Sequence, residues 1–230
     1  MENRIKSFQA LADIFEKHGF SLYLVGGTVR DYLLGYALED MDAVTDATPN
    51  QVISFLPNVD DTFAHLGSLK YKDPDGVKFD ITTLRRESGY TDSRHPNKVI
   101  FVSDLEDDYP RRDFTVNAMY MDKNLKIYDF CNGQKDLQNH LLRMVGDPDQ
   151  RLKEDPLRIL RAIRFHLVYK LDIERSLFEA MRDRFYLLEN LTDAKIKSEV
   201  KKINEEKVDP KMKKEIFAQF DVPNIKGVVK

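Results

Sequence analysis

The chain has 230 residues, 42% hydrophobic and 33% charged, with a net charge of −3. That is enough apolar material for a core beneath a heavily charged surface, and it excludes a basic nucleic-acid coat. One cysteine, Cys131, excludes an intramolecular disulfide and fits a reducing, cytoplasmic setting; no apolar run reaches membrane-spanning length.

In chain order, Ile5, Phe8, Leu11, Ala12 and Phe15 recur at helical spacing, and Gly19 stands where a helix C-cap belongs. Leu22 to Val25 reads as a short buried strand running into Gly26-Gly27, and Thr28 as the cap of a helix ended by Gly35. Met41 to Val44 reads as a second strand, with a helix opened by Thr48-Pro49 behind it. Asp73-Pro74-Asp75-Gly76 is a turn signal, so residues 66–84 are expected to form a hairpin. Glu87 to Asn97 is polar and without period, and reads as a long loop before a strand at Val99 to Val102. From Glu154 the pattern is helical throughout, with stripes at Leu177, Met181, Phe185, Leu188 and at Ile196, Val200, Ile203. The expected division is an α/β domain over 1–150 and a small helical domain over 151–230.

Asp40-Met41-Asp42 places two carboxylates two residues apart, on one face of a strand, where both can grip a divalent ion. An exposed acidic edge is the bland alternative. Asp80 stands among polar residues opposite Val77, Phe79 and Ile81, so a hairpin strand lying beside the first would add a third carboxylate. Three carboxylates with Mg²⁺ suit in-line nucleotidyl transfer. Gly26-Gly27 permits close approach of a phosphate to the backbone and to a helix N-terminus, with Arg30 one turn on; alone, the pair is more often a tight turn. In Arg111-Arg112-Asp113 the acid is explained as the N-cap of a helix over 114–119, which leaves the arginines for a triphosphate or ribose. On the helix with the buried stripe Ile159, Leu160, Ile163 and Leu167, the opposite face carries Asp155 and Arg158. Either the two form a plain salt bridge on a solvated face, or they read the amino and ring-nitrogen edge shared by cytosine and adenine. Arg161 and Arg164 continue that helix toward phosphate or sugar. The eight lysines from Lys195 to Lys214 form either a solvated helix face, the blander reading, or a mildly positive surface.

The segments LVGGTVRDYLLG, DMDAVTDATP, FDITTLR, RHPNKVIF, RRDFTVNAM, NGQKDL and EDPLRILRAIRF occur in this order. Together they resemble the class II tRNA nucleotidyltransferase (CCA-adding enzyme) and bacterial poly(A) polymerase family of the polymerase β-like superfamily. The resemblance implies an α+β fold, a mixed-sheet head flanked by helices followed by an all-α neck, with the family's body and tail domains not matched. It implies Mg²⁺ ligation by Asp40 and Asp42, with Asp80 as the third catalytic acid at a position where many members carry Glu. It implies nucleotide binding by Gly27, Arg30 and Arg112, and base selection by Asp155, Arg158, Arg161 and Arg164. TLRRESGYTDSRHPNKVIF resembles the loop used in switching from C to A addition, and its full length favours complete CCA addition.

The expected activity is therefore addition of C and A from CTP and ATP to the 3′ end of tRNA, with release of diphosphate. A partner chain is one source of the tRNA elbow contacts that the head and neck lack. The rivals are an A-adding or poly(A) enzyme, a transferase acting on a protein or small molecule, and a catalytically idle RNA-binding module.

Overall fold

The chain divides into two compact units, Met1–Ser88 with Lys98–Gln134, and Gly89–Asn97 with Lys135–Lys230. The computed structural model describes residues 1–90, 96–205 and 208–220.

In the first unit, α1 (Glu2–Lys17) buries its apolar stripe from Ile5 to Phe15, and Gly19 follows its end at a φ of 82° that disfavours side chains. Next come β1 (Leu22–Val25), α2 (Gly27–Leu33), β2 (Met41–Thr45) and α3 (Pro49–Phe55). The Gln51 side chain accepts the Thr48 N–H at 2.8 Å to open α3. The hairpin of β3 (Ser68–Lys72) and β4 (Lys78–Thr83) forms as expected. Asp73 accepts the Val77 N–H at 2.7 Å, and Gly76 takes a φ of 84° in the turn.

Two expectations fail here. The strand expected at Val99 to Val102 is present as β6 (Pro96–Phe101), but it starts earlier, and β5 (Arg85–Tyr90) pairs with it in a two-stranded sheet where Glu87 to Asn97 is expected to run as a loop. Residues 91–95, at the centre of the segment that resembles the switching loop, lie outside the described residues. After α4 (Leu105–Asp108), the helix expected over 114–119 is a single 3-10 turn, Thr115–Asn117, that leads into β7 (Met119–Met121). This run is buried on every side, so it carries no helical period to separate the two outcomes. β8 (Ile127–Asp129) and α5 (Gly133–Gln138) follow.

The six-stranded sheet has the order β3-β4-β2-β1-β7-β8. All its pairings are antiparallel except β2 with β4, which run parallel in the register Asp42 to Asp80. One face buries Met41, Ala43, Leu69, Phe79 and Ile81. On the other, Val44 packs in a smaller cluster with Val25, Leu84, Leu105 and Tyr120. Asp42 and Asp80 belong to the face that carries Val44, two residues nearer the start of their strands.

The second unit holds β9 (Leu141–Leu142), α6 (Pro148–Glu154), α7 (Leu157–Tyr169), β10 (Asp172–Ile173), α8 (Arg175–Arg184), α9 (Asp193–Glu205) and α10 (Pro210–Ala218). The stripes at Leu177 to Leu188 and Ile196 to Ile203 are buried as expected. The region beyond Glu154 is not wholly helical, because β10 pairs in parallel with β9. Of the lysines between 195 and 214, Lys201, Lys202 and Lys211 pair with acids of their own helices, the behaviour of a solvated face.

Candidate active site

β1 delivers the chain into a turn where Gly26 takes φ 64° and ψ −128°, a conformation essentially reserved for glycine. Contrary to the expectation from sequence, the Thr28 side chain does not cap α2. Its hydroxyl instead donates to the Asp40 carbonyl at 3.0 Å and accepts the Asp42 N–H at 2.9 Å. That one side chain ties the Gly-Gly turn to the strand bearing the acids, and no spacing rule points to it.

Asp40 is exposed just before β2, Asp42 is half-buried on it, and Asp80 is exposed on β4 directly beside Asp42. Burial, Asp80 and Asp40 together push the Asp42 carboxyl up to about 6, against the opposing pull of Arg112 and Arg30. Two further acids and two guanidiniums of the first unit thus all act on the Asp42 carboxyl. Among the described residues no three His, Cys, Asp or Glu side chains converge tightly enough to hold a metal by themselves. The donor set still suits Mg²⁺, which is commonly bound by one or two carboxylates and completes its shell with water and substrate phosphates.

The arginines are held from behind. Arg30 is 4% exposed and donates to Asn117 Oδ1 at 2.6 Å and Asp31 Oδ1 at 2.9 Å. Asn117 in turn donates to Asp113, which also accepts the Phe114 N–H at 2.8 Å. The expected N-cap role of Asp113 therefore fails: the 3-10 turn starts from Phe114 with no side-chain cap, and Asp113 instead holds the Phe114 N–H and Asn117. Asp108, fully buried, accepts from Arg112 Nη2 at 2.8 Å, Arg111 Nε at 2.8 Å and the Tyr120 hydroxyl at 2.8 Å. Burial works to raise the Asp108 carboxyl, yet Arg112 and Arg111 hold it well below the usual carboxylate range. Arg112 also lies over the Tyr120 ring at 5.0 Å, and its Nη1 is 3.9 Å from where a Cβ on Gly26 would stand. Nothing in the sequence pattern singles out Asp108, Asn117 or Tyr120. Arg111 is committed to Asp108 and Glu87, a structural role that its place beside Arg112 does not reveal.

In the second unit, Asp155 is the C-cap of α6 rather than a member of α7, and its carboxylate accepts the Leu157 N–H at 3.1 Å. Arg158 is 6% exposed and donates to the Arg151 carbonyl at 2.8 Å. The solvated-face alternative for this pair therefore fails: α7 also buries Ala162 and Leu157 and is covered on most sides. Arg164 donates to the buried Glu199 of α9 at 2.5 Å and lies over Phe165 at 4.7 Å, while Arg161 lies over the same ring at 5.7 Å. Burial would raise Glu199, but Arg164, Arg161 and Lys202 hold it low.

Residues 22–143 match the family model described as the poly A polymerase head domain. The chain belongs to that family. The match takes in Gly27, Arg30, Asp40, Asp42, Asp80 and Arg112; Asp155, Arg158, Arg161 and Arg164 follow it in sequence. The chain is 42% identical over 190 residues to the CCA-adding enzyme of Staphylococcus haemolyticus, covering 82% of this chain and 47% of that one. To the CCA-adding enzyme of Lactobacillus helveticus it is 41% identical over 199 residues, covering 86% and 49%. The crystal structure of the Bacillus stearothermophilus CCA-adding enzyme in complex with CTP aligns with a TM-score of 0.79 at 30% identity, over 86% of this chain and 48% of that one. The Thermotoga maritima CCA-adding enzyme complexed with tRNA aligns with a TM-score of 0.75 at 30% identity, over 94% and 50%. The chain spans about half the length of these relatives. The resemblance read from the seven motifs and the α+β head fold are both borne out.

Proposed function

We propose that this chain carries the head and neck, divided near residue 150, of a Mg²⁺-dependent nucleotidyltransferase that adds C and A from CTP and ATP to the 3′ end of tRNA in the cytoplasm. The observation that carries the proposal is the parallel register of β2 and β4, which sets Asp42 beside Asp80 on the face that Arg112 and Arg30 also act upon. Two curated relatives named CCA-adding enzyme support the choice of reaction.

In this reading Asp40 and Asp42 hold Mg²⁺, which supplies positive charge at the phosphoryl oxygens when bound. Gly26 and Gly27 offer backbone to the triphosphate, and Arg30 and Arg112 neutralise it, pre-positioned by Asn117 and Asp108. The terminal 3′-hydroxyl oxygen attacks the α-phosphorus in line. A phosphodiester bond forms, the bond to the bridging oxygen breaks, and diphosphate leaves. Asp80 accepts the hydroxyl proton. Asp155 and Arg158 choose the base, with Arg158 held rigid by Arg151 and Glu154. Arg161 assists at the nucleotide, and Arg164 holds α9 through Glu199.

The test is incubation of the purified protein with tRNA lacking its terminal CCA and each labelled nucleotide in turn. CCA addition requires CTP first and then a single A. An A-adding or poly(A) enzyme extends from ATP alone, and an idle module incorporates nothing. A full-length relative's elbow contacts, or a partner chain that supplies them, are expected to raise the preference for intact tRNA over a minihelix.

A further inference from the structure

Beyond Asp80, the same sheet face continues onto β3. Lys70 stands directly opposite Asp80 in the antiparallel register, and Lys72 directly opposite Lys78. Residues facing each other in such a pair share a side of the sheet. Lys70, Lys72 and Lys78 therefore line the side on which Asp42 and Asp80 lie. Lys70 Nζ is 3.9 Å from Asp80 Oδ1, both half-exposed. Neither Lys72 nor Lys78 pairs with a carboxylate among the described residues. Like charges set opposite each other across two strands cost stability. Lysines on an edge strand also guard against sheet-to-sheet association. That explanation covers Lys70 and Lys72 on β3, but not Lys78 on the interior strand β4.

Across the sheet, the order β3, β4, β2, β1 lays the charges out as lysines, Asp80, Asp42, and then the Gly26 turn with Arg30 and Arg112. In-line transfer puts the entering oxygen on the side of the phosphorus opposite the leaving diphosphate. With the triphosphate on the β1 side, the acceptor strand enters from the β4 and β3 side. We infer that Lys70, Lys72 and Lys78 form a binding site for the backbone phosphates of the acceptor RNA immediately upstream of its 3′-hydroxyl. Lys70 and Lys72 are about 7 Å apart along β3, so they meet different phosphates rather than sharing one. This inference rests on the proposed nucleotidyl transfer and assigns the side of the site that reading leaves open.

The experiment uses the 230-residue chain and a labelled acceptor-stem minihelix lacking CCA. Its Kd is measured across a salt series, and the Kd for CTP is measured separately. The triple variant K70Q/K72Q/K78Q is expected to bind the minihelix at least about tenfold more weakly at low salt. Its slope of log affinity on log salt falls by about 2, since each single-strand phosphate contact contributes about 0.7. CTP affinity stays unchanged, and the Lys→Arg triple variant keeps wild-type binding. Equal RNA affinity and salt slope in wild type and the Gln variant overturns the lysine site and leaves the nucleotidyl-transfer reading standing. A wild-type chain that neither binds the minihelix nor extends it overturns both.

Discussion

Two carboxylates of the first unit, Asp42 and Asp108, are drawn in opposite directions by their surroundings. Asp42 sits between Asp80 and Asp40, and burial and those acids push its carboxyl up to about 6. Asp108 is more deeply buried yet is held low by Arg112 and Arg111. The difference separates roles. A buried acid whose charge is matched by protein donors is a finished piece of architecture. An acid crowded by like charge is left unmatched within the protein, which is what the proposed metal-binding role requires.

The sharpest break in this comparison is functional. Asp42→Ala or Asp40→Ala is expected to lower nucleotide incorporation more than about a hundredfold at saturating Mg²⁺, because losing a metal ligand costs several kcal/mol of barrier and each 1.4 kcal/mol is about tenfold. Incorporation assays with the fold checked by circular dichroism decide it. Retention of more than about a hundredth of the activity removes the two acids from the metal-binding role.

Asp108 should behave in reverse, as a stability residue. Removing one partner of a buried ion pair costs about 3–5 kcal/mol, and Asp108→Ala is expected to fall in that range by urea unfolding. Its pH signature follows from the low folded pKa. The stabilisation is complete above the ordinary carboxylate value near 4 and is lost as pH falls below it. Asp108→Asn flattens that acid limb. A variant with an unaltered limb assigns the acid sensitivity to other groups.

For Asp42 the sign is opposite. Its folded pKa is raised, so the folded state holds a proton that the unfolded chain releases, and stability declines as pH rises from about 4 to about 6. In chelator, Asp42→Asn should therefore stabilise the protein above pH 6 by up to about 3 kcal/mol, roughly two pKa units at about 1.36 each. A thermal melt with EDTA measures it. Destabilisation instead would mean that Asp42 is as well matched as Asp108.

Much of this site is legible in sequence because strand periodicity and turn chemistry are local. Asp73 to Gly76 mark the hairpin, and alternation around Phe79 and Ile81 aims Asp80 away from the core. The supports are not legible. Asp108 meets Tyr120 across an irregular stretch of 12 positions, and Arg30 meets Asn117 across 87, beside the pairing of β1 with β7. β5 and the start of β6 lack an apolar pattern, so only the end of β6, from Val99, is legible as a strand. The single apolar stripe near Arg158 points to a solvated face for that residue. In fact α7 is covered on most sides, and tertiary packing decides the environment of a polar residue there.

Asp155 extends the comparison to an intermediate case. One of its oxygens already accepts the Leu157 N–H, which makes it partly architectural like Asp108. The cations nearest it in sequence on α6 are engaged elsewhere, Lys153 with Asp149 and Arg151 with Glu154. Asp155→Asn keeps an acceptor for the Leu157 N–H, so stability should change by less than the ~1 kcal/mol typical of a lost cap. If the carboxylate also receives the exocyclic amino group of cytosine or adenine, the amide can turn a donor toward the base instead. Discrimination against UTP and GTP should then relax about tenfold, at the low end of the roughly 1–3 kcal/mol that one bidentate base contact provides. Adding Arg158→Lys should give less than the sum of the two single effects, because both groups serve one base edge. Competition of labelled CTP against UTP on the same minihelix measures this. Unchanged preference in Asp155→Asn, with unchanged stability, would leave Asp155 as a helix terminator alone.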